Sequence, residues 1–447
     1  MEIKKIPVIG WLFDWLEGEG IEYGWIIFIG GALLFVYVLS RIPIAEGTVV
    51  SLLFVTAPLW LPVATFLVFF SRHMIAVGMK FAYENGRTTV EVILPPEVTK
   101  SPEAMEFVFT QIHNVATPDN LMQTYLDGKR PLPYTFELVS RGGDIHFYIT
   151  VPDKFVPALS ANLYAQYPGI EIRTLDLDYT AEVPSDLKDW EFMSFHMNKK
   201  KDDVYPIKTY IDYELNRNPK EEEKVDPMTP MLEVLASVKP GDQLWIQFIC
   251  LAHREKNFKL GSLSKKDTWE ADAVKSINKL MGRQDDKKAP LELEGSSRLT
   301  NTERDTIDAI GRHTQKYAYE TAIRWCYLAP PGNSFDGGLI PRTIRSFAQT
   351  ELKSEGRNGI GVRWRTDFNY MLVSDPFGTK IPALKKAELK EYKQRILFPK
   401  NSGMSFKIYS AEELATLYHI PGKVAMTPTL NRVNSTRGEA PANLPTS

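Results

Sequence analysis

Two cysteines in 447 residues leave no material for a disulfide framework. Cys250 and Cys326 each stand in an apolar, strand-like run, "LWIQFICLAH" and "AIRWCYLAP", so both are expected as buried thiols of a reducing compartment. An excess of charge of either sign is missing too. The 53 Lys and Arg against 55 Asp and Glu leave a net charge of −2, so attraction to nucleic acid or anionic lipid has to come from local patches.

Catalytic signatures are equally scarce. The stretch "GTKIPALKK" from Gly378 lacks the G-x-x-x-x-G-K-[ST] spacing that wraps backbone N–H groups around phosphates. "GRNGIG", Gly356 to Gly361, departs from GxGxxG order and reads as a turn. "DPFG" at Asp375 has none of the companions of a kinase signature. The seven histidines form no H-E-x-x-H, and His113, His253 and His313 lie near element ends, where solvated or capping roles prevail. These absences predict no catalytic residue, no cofactor, no metal site and no small-molecule substrate.

Long apolar runs are present. Ile21 to Leu39 carries one charge, Glu22, and Thr48 to Phe70 carries none. As helices of about 19 and about 23 residues they reach the thickness of a bilayer core, and Pro58 and Pro62 should kink the second. Residues 41–47 join them as a hairpin. Lys4, Lys5, Arg72, Lys80 and Arg87 flank the outer ends against Arg41 in the connection. That bias predicts a multi-pass protein of a bacterial inner membrane, in contact with lipid, with both termini and the soluble domains cytoplasmic. Trp11 and Trp15 with Asp14 and Glu17 suit an amphipathic stretch at the interface.

Beyond Arg87 the expected class is α+β. "TTVEVIL" alternates; Ser101 and Pro102 open a helix marked by Met105, Val108, Phe109 and Ile112; "RGG" joins two strands as a hairpin; Phe155, Leu159 and Leu163 mark a second helix; and "GIEIRTL" is a fourth strand. The order β-α-β-β-α-β predicts a ferredoxin-like domain over 88–176. With Val90, Phe136, Phe147 and Ile172 turned to the helices, the opposite sheet face would show Glu91, Glu137, His146, Tyr148, Glu171 and Arg173. Carboxylates on that face favour docking over RNA reading. Residues 177–227 read as a polar connector with a strand near Ile207 to Tyr213, and 228–400 as a second α+β sandwich, a divergent copy of the first. Within it, Thr300 and Glu303 form a capping box. Residues 401–447 read as a short helix and a Pro-rich tail.

One basic cluster invites a nucleic-acid reading. Arg342, Arg345, Lys353, Arg357, Arg363 and Arg365 surround Trp364, a combination that could hold DNA phosphates and stack a base. A solvated helix face beside a basic strand edge is the plainer reading.

The segments "VPDKFVPALSANLYAQYP", "MTPMLEVLASVKPGDQLWIQF", "AIRWCYLAP" and "ELATLYHIPG…GEAPANLP" resemble the pre-motor region of membrane-anchored type IV secretion and conjugative-transfer ATPases. In that family the His-x-Pro-Gly turn, here His419, Pro421 and Gly422, leads towards a P-loop motor. This sequence departs from the pattern, since it reaches Ser447 without one. The resemblance implies a non-catalytic assembly component of a transfer apparatus that oligomerises or docks a separate ATPase, with the 419–422 turn as the docking segment. A membrane-tethered DNA-binding protein using residues 342–365 is the alternative.

Overall fold

The computed structural model describes residues 83–95, 100–114, 121–129, 132–216, 225–253, 269–281, 299–352, 356–366, 380–396 and 406–422, with helical positions 57, 58, 61, 62, 65, 66, 69, 70, 72, 73 and 76–81. The chain divides into two compact units: residues 1–86 with 116–130, and residues 87–115 with 131–447.

The transmembrane expectation does not stand. The run 21–39, its connection 41–47 and the interfacial segment lie outside the described residues. Among the described residues no helix is long and apolar enough to cross a membrane. The helical positions of 57–81 continue past the apolar run through Arg72, His73 and Lys80. His73 Nε2 lies 2.8 Å from the Tyr125 carbonyl oxygen and the Phe70 ring 5.6 Å from that of Tyr125. These described positions carry polar side chains and pack within their own unit, and the two-helix anchor and the inner-membrane localisation do not stand.

The larger unit is built on one nine-stranded, wholly antiparallel sheet. Its first half is β1 (Thr88–Ile93), α1 (Glu103–Ile112), β2 (Tyr134–Arg141), β3 (Asp144–Val151), α2 (Val156–Gln166) and β4 (Glu171–Thr174). Its second is β5 (Glu191–Lys199), α3 (Thr229–Ala236), β6 (Gln243–Ala252), two inserted helices α4 (Trp269–Leu280) and α5 (Asn301–Thr314), β7 (Ala318–Ala329), α6 (Leu339–Ser346) and β8 (Ile360–Arg365). Then come α7 (Lys380–Lys393), β9 (Lys407–Ser410) and α8 (Ala411–Leu417).

Strand order is β4-β1-β3-β2-β6-β7-β5-β8, with β9 on β7. Each half therefore shares the connectivity β-α-β-β-α-β and the order 4-1-3-2 of a split βαβ unit, and the halves meet where β2 pairs with β6, Phe136 opposite Phe248 and Glu137 opposite Gln247. The first strand of the second half, β5, lies inside the stretch read as a polar connector. Its alternation, "EFMSFHMNK", is masked in sequence by charged flanks, and its polar side chains are buried by contacts made far along the chain. Residues 207–213 form no strand: 207–209 are irregular and 210–213 turn.

One face of the sheet, with Val90, Phe136, Phe147, Phe248, Ile323 and Trp325, forms the main core with α1, α2, α3 and α8. Phe109 of α1 rests on Phe136 at 4.7 Å between ring centroids. The other face holds a smaller core of Val139, Tyr148, Trp245, Cys326 and Leu328, closed by Tyr179 and Val183 and by Leu389 and Tyr392 of α7. Glu137, His146 and Tyr148 do share the face away from α1 and α2, but that face is covered over Glu137 and Tyr148, and Glu171 and Arg173 stay exposed at its β4 edge. Tyr148 stacks on Tyr179 at 4.8 Å.

Candidate functional site

The groups with most chemical potential lie between the sheet and α7. Those on strands, Glu137, Gln247, Arg324, His196 and Trp364, come from positions that face away from the main core, so the period-2 geometry of the strands brings them into one row. Glu137 of β2 is fully buried and accepts two hydrogen bonds from Arg395, from Nε at 2.9 Å and Nη2 at 3.0 Å. Gln247 of β6 donates to Glu137 Oε1 at 2.5 Å and accepts from Arg324 Nε of β7 at 2.6 Å. Arg324 Nη2 reaches the Glu391 carbonyl oxygen at 3.1 Å. Further along, His196 Nε2 of β5 meets Glu388 Oε1 of α7 in a very short contact, and the Trp364 ring of β8 stands edge-on to His196 at 5.0 Å.

Arg395 sits just past the end of α7 at φ 53°, where a left-handed backbone usually selects glycine. Its N–H bonds the Tyr392 carbonyl at 2.9 Å and the Ile396 N–H that of Glu391 at 3.2 Å, the pair of bonds that ends a helix in a Schellman turn. The side chain accounts for a non-glycine residue there, because Nη1 also holds Asp178 Oδ2 at 2.7 Å. Burial works against the ionised forms of Asp178 and Glu388. The Arg395 charge and its hydrogen bond outweigh burial at Asp178, and His196 and Arg324 do so at Glu388, so both carboxyls lie below their ordinary range. The row holds two sets of ion pairs, Glu137–Arg395–Asp178 and His196–Glu388, and Gln247 joins the first to Arg324, whose Nη1 is buried without a hydrogen-bond partner.

A second buried set holds the C-terminal segment. Lys199 Nζ lies 2.8 Å from Glu413 Oε1 and 3.0 Å from Oε2, both residues fully buried. His313 Nδ1 lies 3.2 Å from Glu413 Oε2, and its Nε2 lies 3.2 Å from the Asp203 carbonyl oxygen. Glu413 also accepts from the Ile207 N–H and, through a capping box with Ser410, from the Ser410 N–H. At the other end of α8, His419 Nε2 faces Asp226 at 3.2 Å and Nδ1 meets the Ala415 carbonyl oxygen at 2.8 Å.

The His-x-Pro-Gly turn therefore sits inside the larger unit. His419 and Pro421 are buried and Gly422 is half-buried, while the Tyr418 ring packs on Phe136 at 5.2 Å. The basic cluster is dispersed. Arg342 and Arg345 are exposed on α6, and Arg342 pairs with Asp336 at 3.6 Å. Arg357 is buried against Asp212 at 2.6 Å. Arg363 donates to the Lys199 and Lys200 carbonyl oxygens. Trp364 is 5 % exposed and faces the α7 side, so its ring offers no open surface for a base. Arg365 is half-buried, and Lys353 lies outside the described residues.

Sequence reasoning passed over Arg324, Arg395, His196 and Glu388. The available signal was Arg324 itself, a charge inside a strand apolar on both faces, which cannot be buried without a partner. Among the described residues no group of His, Cys, Asp and Glu is placed to hold a metal ion.

No curated protein and no solved structure matches the chain. No relative therefore ties it to secretion or conjugation. One family model does match, described as a domain of unknown function (DUF8128), over residues 78–333. That span takes in the first half of the sheet and the second as far as β7, more than half of the sequence, and the chain belongs to this family.

Proposed function

We propose that the chain is a non-catalytic assembly protein that works by contact with other protein chains, either copies of itself or a separate P-loop ATPase. The observation that carries this reading is the self-closure of its ionisable groups. Glu137, Asp178 and Arg395, the His196–Glu388 pair and the Lys199–Glu413 pair spend their charges on one another inside the larger unit. A general acid or base has to face a reactant, and these groups face protein.

What the fold presents outward also favours contact. Phe107 of α1 and Tyr164 of α2 are about half exposed, at 51 % and 47 %, with polar Gln111 one turn from the first and Ser160 one turn from the second. Aromatic side chains ringed by polar groups are typical anchors of protein interfaces.

The test is affinity capture of the tagged full-length chain from its own cells, with light scattering on the purified protein. Recovery of a P-loop ATPase, or a mass of more than one chain, supports the reading. A monomer at every concentration that captures neither overturns it.

A further inference from the structure

Ser410 to Pro421 is a run of twelve consecutive buried residues. This C-terminal strap starts as β9 on the end of β7, Ala318 opposite Ser410, and continues as α8 against α1. It ends with Tyr418 seated among Phe136, Phe147 and Phe248, on the two strands where the halves meet and on β3. Its polar anchors lie far off in sequence. Thr209 Oγ1 donates to Glu412 at 2.5 Å, and the Tyr210 N–H donates to Thr416 Oγ1 at 3.0 Å. The strap fills a groove that the rest of the sheet and helices leave between the halves.

We propose that the strap is an acid-released plug, with His313 as its trigger. The packing supplies the reason. Lys199, Glu413 and His313 form a fully enclosed trio whose charges cancel while the imidazole is neutral, and protonating His313 puts a second cation beside Lys199. Around the trio stand Arg312 on the same helix, Arg357 ahead of β8, Lys407 on β9, and the carboxylates Asp203, Asp212 and Glu412. The outer cations pair with those carboxylates: Lys407 with Asp203, Arg357 with Asp212, and Arg312 with Asp212 and Glu412. The Trp269 ring closes the last side of His313 at 4.9 Å.

Burial, with Lys199 next, holds His313 well below its ordinary value of 6.5. The closed state then binds fewer protons than the open one. Closure is fully stable above that ordinary value and weakens as pH falls below it. Glu413 pulls the other way, because burial raises it above its ordinary 4.5. Its contacts with Lys199, Ile207 N–H and Ser410 N–H come from donors, which favours the carboxylate and leaves His313 the dominant group at mildly acid pH.

The experiment is hydrogen exchange of the intact full-length chain at about pH 7.5 and about pH 5, corrected for intrinsic rates, across the histidine range. Expected is faster exchange in residues 407–422, rising by up to about tenfold per pH unit, while β6 stays protected. His313→Gln, with His313→Asn as a second neutral variant, should remove the pH dependence. The proposal is overturned if the wild-type strap is equally or better protected at acid pH, or if β6 opens with it. It is also overturned if a folded neutral variant responds like wild type.

Discussion

Glu137 and Arg395, 258 positions apart in the chain, meet face to face through two parallel hydrogen bonds beneath α7. The pair ties β2, the strand by which the first half joins the second, to the end of a helix that follows the second. Removing one partner strands the other charge in the interior, which costs about 3–5 kcal/mol. We expect Glu137→Gln and Arg395→Met each to lower stability by about that amount, and the double variant to lose less than the sum. Denaturant unfolding of the four proteins measures the coupling, and simple additivity would contradict the pairing.

Tyr418 should be among the most sensitive positions of the strap. Its ring is buried against three phenylalanines, and truncation of a buried aromatic side chain costs about 3–5 kcal/mol. Tyr418→Phe should cost far less than Tyr418→Ala, since the ring makes the contacts described here. Equal losses in thermal unfolding would argue against a packing role.

The His196–Glu388 contact gives stability a sign with pH. Burial pushes the Glu388 carboxyl up, but the His196 imidazole and Arg324 hold it below its ordinary 4.5. A lowered carboxyl contributes stability that is present above the ordinary value and lost as pH falls through the folded one. The chain should therefore lose stability below about pH 4.5. Glu388→Gln, already destabilised at neutral pH, should show a shallower acid slope in chemical denaturation. An unchanged slope would contradict the assignment.

Both thiols should be silent in the native protein. Burial is the main cause that pushes Cys250 up to about 12 and Cys326 higher still. A thiol reagent at neutral pH should find no fast-reacting cysteine until denaturant is added, and then two. One fast native thiol would contradict the placement of β6 or β7.

How much of this was legible in the sequence depends on the range of the interactions. The β-α-β-β-α-β order of the first half follows from local alternation and helical spacing, and the Thr300–Glu303 capping box is found where its four-residue pattern puts it. β5 was hidden because Ser194 and His196 look solvated until Cys326 and Glu388 are known to meet their side chains. The burial of Glu412 and Glu413 is invisible in the sequence for the same reason. Their partners Thr209 and Lys199 are more than two hundred residues away. Apolar length alone produced the membrane hairpin, and it carried no information on what the helix at 57–81 packs against.

The central claim is that this chain acts by binding other chains, and Phe107 and Tyr164 offer the most direct handle. The decisive measurement is the solution mass of the full-length protein over a range of concentrations, alone and with any P-loop ATPase that the affinity capture recovers. The account predicts a complex larger than one chain that falls apart in Phe107→Asp and Tyr164→Asp variants whose folding is intact. A lone chain at all concentrations, indifferent to both changes and to the ATPase, would contradict it.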